Sequence, residues 1–229
     1  MYTVEGLNGK QRNTTLRDAK KMNLVPSVTT ILGLIAKPGL DQWKQKQAIL
    51  AALTLPKLPN ESEDDYIKRI VTDSKEQGRM AADRGTEIHA AIQSFYEDKQ
   101  HGLHEFVMGC DTEIYRTYGD QKWICERAFA HEMGFGGKVD MHADNIVIDI
   151  KTKDFTDAKE VVPYDEHMMQ LAAYRVGLGM PNAACANVFV SRNVPGLVAM
   201  HIWDETDIQR GWKMFVCLLE YYQHKSGLK

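Results

Sequence analysis

Apolar and polar positions alternate with two different periods along this chain, and the change of period marks where helices give way to strands. Residues 27–35 read as a short helix capped by Ser27 after Pro26, and beyond a turn at Lys37-Pro38-Gly39 a second helix is expected over 41–55. Leu55-Pro56-Lys57-Leu58-Pro59-Asn60 breaks it. Ser62 opens the next helix, with Glu63, Asp64 and Asp65 in a first turn that favours negative charge, and the pattern runs on to about residue 99 with a kink expected near Gly78. Its stripe of Ile88, Ile92 and Phe95 recurs at helical spacing. A further helix covers about 103–118. The period then falls to two, predicting strands at about 121–132, 136–143 and 145–151. Pro163 opens a helix with Asp165 and Glu166 in its first turn, and Gly177-Leu178-Gly179 closes it. Strands are expected at 184–191 and 197–203 around a Pro195-Gly196 turn, before a last amphipathic helix with Ile208, Trp212, Phe215 and Leu219 inward.

The strand pair in the middle carries the most chemistry. Alternate residues of an extended strand share a face, so Asp149 and Lys151 project together while Ile146, Ile148 and Ile150 turn to a core on the other side. A reversal at Ala143-Asp144-Asn145 pairs this strand with the preceding one as a hairpin and brings Asp140 beside Asp149, with Lys151 at their edge. Two convergent carboxylates suit a hard divalent cation that takes oxygen ligands and retains several waters. Such an ion polarises a phosphoryl oxygen and lowers the pKa of a bound water. Near that water Lys151 can orient or help deprotonate the nucleophile, and near the phosphate it can offset negative charge.

An acid and a lysine two apart on a strand also describe the solvated face of an antiparallel sheet. Other residues in the same chain argue for a site. His89 borders the apolar stripe of its helix, where a histidine packs through hydrogen bonds or, aimed at a carboxylate pair, serves as a further ligand. Gln170 and Tyr174 lie one turn apart on one helical face.

In this order the pieces resemble the PD-(D/E)xK nuclease superfamily, in its RecB-like branch of phage-type exonucleases, which also includes the mitochondrial genome maintenance exonuclease. The motifs are a Gly-Thr-x-x-His helix at Gly85 to His89, a glutamate-bearing strand at Glu126, a Gly-x-x-Asp strand at Gly137 to Asp140, an Asp-x-Lys-Thr strand at Asp149 to Thr152, and a Gln-x-x-x-Tyr helix at Gln170 to Tyr174. The stretch Val25 to Leu32 looks like the opening of phage-encoded members. The resemblance implies an α/β fold with a restriction-endonuclease-like core, a central mixed β-sheet flanked by helices and an N-terminal helical lobe. It implies one nuclease domain over residues 1–229, with 1–60 as the basic lobe and 61–229 as the core. His89, Asp140, Asp149 and the Ile150 carbonyl would bind one or two Mg²⁺ or Mn²⁺ ions, and Lys151 would be the catalytic lysine. Gln170 and Tyr174 would steady the site or the DNA near it. Glu126 either stands outside the ligands as a supporting group or pairs with Arg127 or another base on its strand. Relatives with an iron-sulfur cluster gather their cysteines near the C-terminus, whereas Cys110, Cys125, Cys185 and Cys217 are scattered, so no cluster is expected.

Composition narrows the setting. With 229 residues and 44% hydrophobic content the chain can bury one substantial core. No apolar run spans a bilayer and the first residues lack a secretory layout, so a cytoplasmic protein with no membrane partner is expected, in the host cytoplasm if phage-encoded. The net charge is −3, yet the first fifty residues carry eight basic side chains (Lys10, Arg12, Arg17, Lys20, Lys21, Lys37, Lys44, Lys46) against Glu5, Asp18 and Asp41. That surplus of five, against a deficit of eight in the remainder, offers phosphate contacts or simply a solvated arm. Trp43 beside Lys44, with Lys37 nearby, can stack on an unpaired base or pack into a core. Gly134 to Lys138 lacks the Ser or Thr of a phosphate-cradling loop and enters a strand, so it reads as hairpin geometry. His101, His104 and Cys110 lack the fourth ligand of a zinc site.

The expected function is metal-dependent DNA exonuclease activity on single- or double-stranded ends, in phage recombination or DNA processing, with a single-strand annealing or recombination protein as a further partner. The alternatives are a structure-specific endonuclease of the same fold and a DNA-binding recombination partner without turnover. A carbohydrate hydrolase fits less well, since it has no use for Lys151.

Overall fold

The computed structural model describes residues 3–5, 11–13, 16–22 and 24–227. Of the basic N-terminal residues, Lys10 lies outside them. Its elements are β1 (Thr3–Glu5), β2 (Gln11–Asn13), α1 (Leu16–Met22), α2 (Val28–Leu32), α3 (Pro38–Thr54), α4 (Glu63–Tyr96), α5 (His104–Tyr118), β3 (Ile124–His131), β4 (Phe135–Ala143), β5 (Ile146–Lys153), α6 (Asp165–Gly177), β6 (Ala184–Ser191), β7 (Val198–Trp203) and α7 (Glu205–Ser226). The chain forms two compact units, Met1–Leu34 with Ala90–Lys229, and Ile35–His89.

The larger unit is built on a five-stranded sheet in the order β3-β4-β5-β6-β7. β3, β4 and β5 form an antiparallel meander, β5 and β6 are parallel, and β7 returns antiparallel to β6. This is the mixed α/β sheet the sequence predicts. Parallel neighbours need a crossover, and α6 supplies it. Residues 167–175 of α6 are buried throughout, because the helix packs against β3 to β6 and is covered in turn by α7 and α2. At the α6–α7 contact the backbones come close: a Cβ on Gly211 would stand 3.0 Å from the Met168 carbonyl. α5 packs against β6 and β7.

Local chemistry sets the ends. Ser27 caps α2 by accepting the Thr30 N–H at 3.1 Å, and Gly136 N–H bonds the Pro26 carbonyl at 2.9 Å, tying that cap to β4. β4 and β5 turn through Asp144-Asn145, with Asn145 in the left-handed region at φ 59°. β3 and β4 turn at Glu132-Met133-Gly134, where Gly134 has φ 85°, so the glycine-rich segment is hairpin geometry as read.

The smaller unit holds α3 and most of α4. Pro38 does not merely turn the chain but occupies the first turn of α3, where its missing N–H costs nothing, so the helix starts three residues earlier than expected. The Tyr66 hydroxyl donates to the Leu55 carbonyl at 2.8 Å, and Arg69 donates to Glu61 at 2.9 Å and to the Pro56 carbonyl at 2.7 Å, closing the connection between the two helices. Trp43 lies against Gly78 of α4. Among the described residues no helix is long and apolar enough to cross a membrane.

Candidate active site

β4 and β5 pair only at Met141–Ile148, His142–Val147 and Ala143–Ile146. Beyond that, β4 stays with β3 and β5 with β6, so the two central strands part at Asp140 and Asp149. The gap leaves the Ile150 N–H without a ladder partner, and Asp140 fills the vacancy: its Oδ2 accepts that N–H at 2.8 Å. The N–H and C=O of one strand residue point to the same edge, so the Ile150 carbonyl faces the same opening.

Asp149 is fully buried, which removes the reading of the acid and lysine as a solvated face. Its partners are defined. Lys151 Nζ donates to Oδ1 at 2.8 Å and stands 2.6 Å from Oδ2. The same ammonium donates to Gln170 Oε1 at 3.0 Å. Gln170 Nε2 in turn donates to the Tyr174 hydroxyl at 2.8 Å, so the pair one turn apart on α6 acts as a strut across the lysine. Lys151 keeps 29% of its side chain exposed against 1% for Asp149, which makes the lysine the member that meets solvent.

Electrostatics follow from this burial. Desolvation raises the Asp140 pKa above the ordinary carboxylate range, opposed by Lys151, by the Ile150 N–H and by Lys138. Burial raises the Tyr174 phenol, and Asp149 and Asp140 push it the same way, so Tyr174 remains protonated.

Glu126 resolves as an ion pair with Lys138 across the β3–β4 ladder. The β3–β4 ladder pairs the neighbours of Glu126, Cys125 with Met141 and Arg127 with Val139, and the Glu126 φ of 55° is left-handed. A non-glycine residue held there is strained and needs its surroundings to hold it.

Two residues escaped the sequence reading. Asn187 on β6, fully buried, donates to Asp149 Oδ2 at 2.7 Å. Trp203 on β7 donates its indole N–H to Asn187 Oδ1 at 2.8 Å. A signal existed: an asparagine within Ala184-Cys185-Ala186-Asn187-Val188-Phe189-Val190 is foreign to an apolar strand.

The other expected residues lie in the smaller unit. His89 is half-buried on α4 at that unit's last residue. Lys37 precedes α3, Trp43 packs on Gly78, and Lys44 is exposed 3.8 Å from Asp41. His101 and His104 stack with ring centroids 6.1 Å apart, while Cys110 is fully buried. Among the described residues no three His, Cys, Asp or Glu side chains cluster to enclose an ion; Asp140 is tied to the residue after Asp149 through the Ile150 N–H. A cavity of about 240 Å³ lined by Phe95, Tyr96, Asp111, Tyr115, Gln121 and Trp123 contains none of these site residues.

No protein-family model matches the chain, and no curated protein matches it. Among solved structures it is similar to the alkaline exonuclease LHK-Exo from Laribacter hongkongensis, at 16% identity over 82% of this chain and 98% of that one, with a TM-score of 0.38. The same protein in complex with dAMP gives 16% identity, the same coverage and a TM-score of 0.37. Overlap of that extent leaves the activity of this chain to be argued from its own residues.

Proposed function

We propose that this protein is a metal-dependent deoxyribonuclease, an exonuclease that hydrolyses phosphodiester bonds at DNA ends. The observation that carries the reading is the Lys151 ammonium bonded to both Asp149 and Gln170 beside the point where β4 and β5 part. Asp140, Asp149 and the Ile150 carbonyl would hold Mg²⁺ or Mn²⁺, an all-oxygen set that suits a hard cation. When bound, the ion supplies an acidified water and neutralises charge on the phosphoryl group.

The chain's own groups divide the remaining work. Asp149, with no access to bulk water, keeps a fixed carboxylate against Lys151. Lys151 presents a cation at the solvent edge, where it meets a phosphate or orients an attacking water. Gln170 fixes the ammonium and is itself fixed by Tyr174. Lys138, half-exposed and paired with Glu126, lies near Asp140 as a second contact for substrate phosphate.

The sequence resemblance adds the setting: phage recombination or DNA processing in a host cytoplasm, beside a single-strand annealing or recombination protein, with Lys37, Trp43 and Lys44 as further DNA contacts. It also names His89 as a ligand, which His89→Ala tests by its metal requirement. The decisive assay incubates the purified chain with end-labelled linear and closed circular DNA in Mg²⁺, Mn²⁺ or chelator. Linear DNA is expected to be digested only with metal, and Lys151→Ala to lower the rate by roughly 10²–10⁴-fold. Cutting of circles would make it an endonuclease. Metal-independent binding without hydrolysis, or full activity in Asp149→Ala and Lys151→Ala, would remove the assignment.

A further inference from the structure

We propose that Asn187, locked by Trp203, is a positioning residue that sets the Asp149 carboxylate for metal binding; this rests on the reading of Asp140 and Asp149 as the cation site. Neighbouring strands β7, β6 and β5 each contribute one group to a single row. Asp149 is the parallel partner of Asn187, and Asn187 is the antiparallel partner of His201, two residues before Trp203. An amide buried completely in an apolar strand requires partners for both its ends.

The order of donors decides which way the amide points. An indole N–H can only donate, so at 2.8 Å it requires the carbonyl oxygen of Asn187. The amide NH₂ is thereby left to face Asp149, 2.7 Å from Oδ2 and 3.4 Å from the backbone carbonyl. A flip would set NH₂ against N–H and oxygen against carboxylate, two repulsions at once. The Trp203 ring is itself held by the His201 ring, edge-on with centroids 4.4 Å apart. Nothing in this row reaches Lys151 except through Asp149. Its effect is to fix the plane of the Asp149 carboxylate from the β6 side, through Oδ2, while Lys151 bonds Oδ1.

Outer partners of metal ligands commonly contribute 10–100-fold to affinity or activity. The test uses the full chain and measures Mn²⁺ binding without DNA by calorimetry, together with the Mn²⁺ dependence of cleavage and the thermal midpoint. Asn187→Leu is expected to weaken Mn²⁺ binding roughly 10–100-fold. Trp203→Phe keeps an aromatic ring but loses the indole N–H together with part of the ring's bulk, leaves the Asn187 amide itself in place, and is expected to weaken binding by a smaller factor than Asn187→Leu. The double variant should bind no more weakly than Asn187→Leu alone, because both act through one bond. If both single variants lower the thermal midpoint yet bind Mn²⁺ as the parent does, Asn187 and Trp203 are structural only and the proposal is overturned. If the parent binds no Mn²⁺, or binds it equally well as Asp149→Asn, the cation site itself is wrong and the proposal goes with it.

Discussion

Phe129 on β3 lies between two glycines that make room for its ring. A Cβ on Gly177 would stand 2.0 Å from Phe129 Cε2, and one on Gly137 would stand 2.9 Å from both Phe129 and Tyr174. The Tyr174 ring meets Phe129 edge-on at 6.0 Å, so the glycines also settle where the tyrosine of the site stands. Gly177→Ala is therefore expected to destabilise the protein by about 1–3 kcal/mol through overpacking. Gly102→Ala, with nothing within 4 Å of the new carbon, should leave the midpoint in urea unchanged by comparison. The same scale explains what could be read from sequence. Asp140, Asp149 and Lys151 were legible because a strand repeats every two residues, and Gln170 with Tyr174 because a helix repeats near every four. The joining of Asp149 to Gln170 through Lys151 Nζ is what the fold adds. Asn187 stands out in sequence only as a polar residue in an apolar strand, and its bonds with Trp203 and Asp149 were not legible, since they cross β5, β6 and β7 and no local pattern states that order. Glu126 stayed open until the β3–β4 register placed Lys138 within its reach.

Elements of eight residues or more largely fell where periodicity put them: β6 spans Ala184–Ser191 as expected, and α7 buries Ile208, Phe215 and Leu219. β1 and β2, three residues each, are too short for alternation to register, and β3 starts three residues later than predicted. The connection from α3 to α4 carries a pH-dependent tie. Its two hydrogen bonds from Arg69 lower the Glu61 pKa to about 2, from an ordinary 4.5. Because the folded value lies below the unfolded one, the contribution is complete above about 4.5 and is lost as pH falls towards 2. Glu61→Gln should accordingly unfold at a lower temperature than the parent at pH 7, by a gap that closes between those two values. Thermal melts by circular dichroism in a pH series measure it directly. A gap that stayed constant down to pH 2 would mean that the ionised carboxylate contributes nothing there.

Across the whole molecule, four cysteines sample three depths of the larger unit and turn its packing into a rate. Cys217 is exposed on α7, Cys125 is half-buried on β3, and Cys110 and Cys185 are buried on α5 and β6. Reactivity belongs to the thiolate and needs access, and burial opposes both. It raises the Cys110 thiol and pushes Cys125 up to about 11 and Cys185 up to about 12. A thiol reagent at neutral pH should therefore modify one site per native chain promptly, Cys217, and a second more slowly at Cys125. The remaining two sit where α5 packs on β6 and β7, so they become reactive only when that packing opens. Titrated through urea, their labelling should follow the loss of helical circular dichroism in one transition, with mass spectrometry assigning each site. Prompt labelling of Cys185 in the native protein would show that β6 is accessible, and with it the strand that carries Asn187 to Asp149.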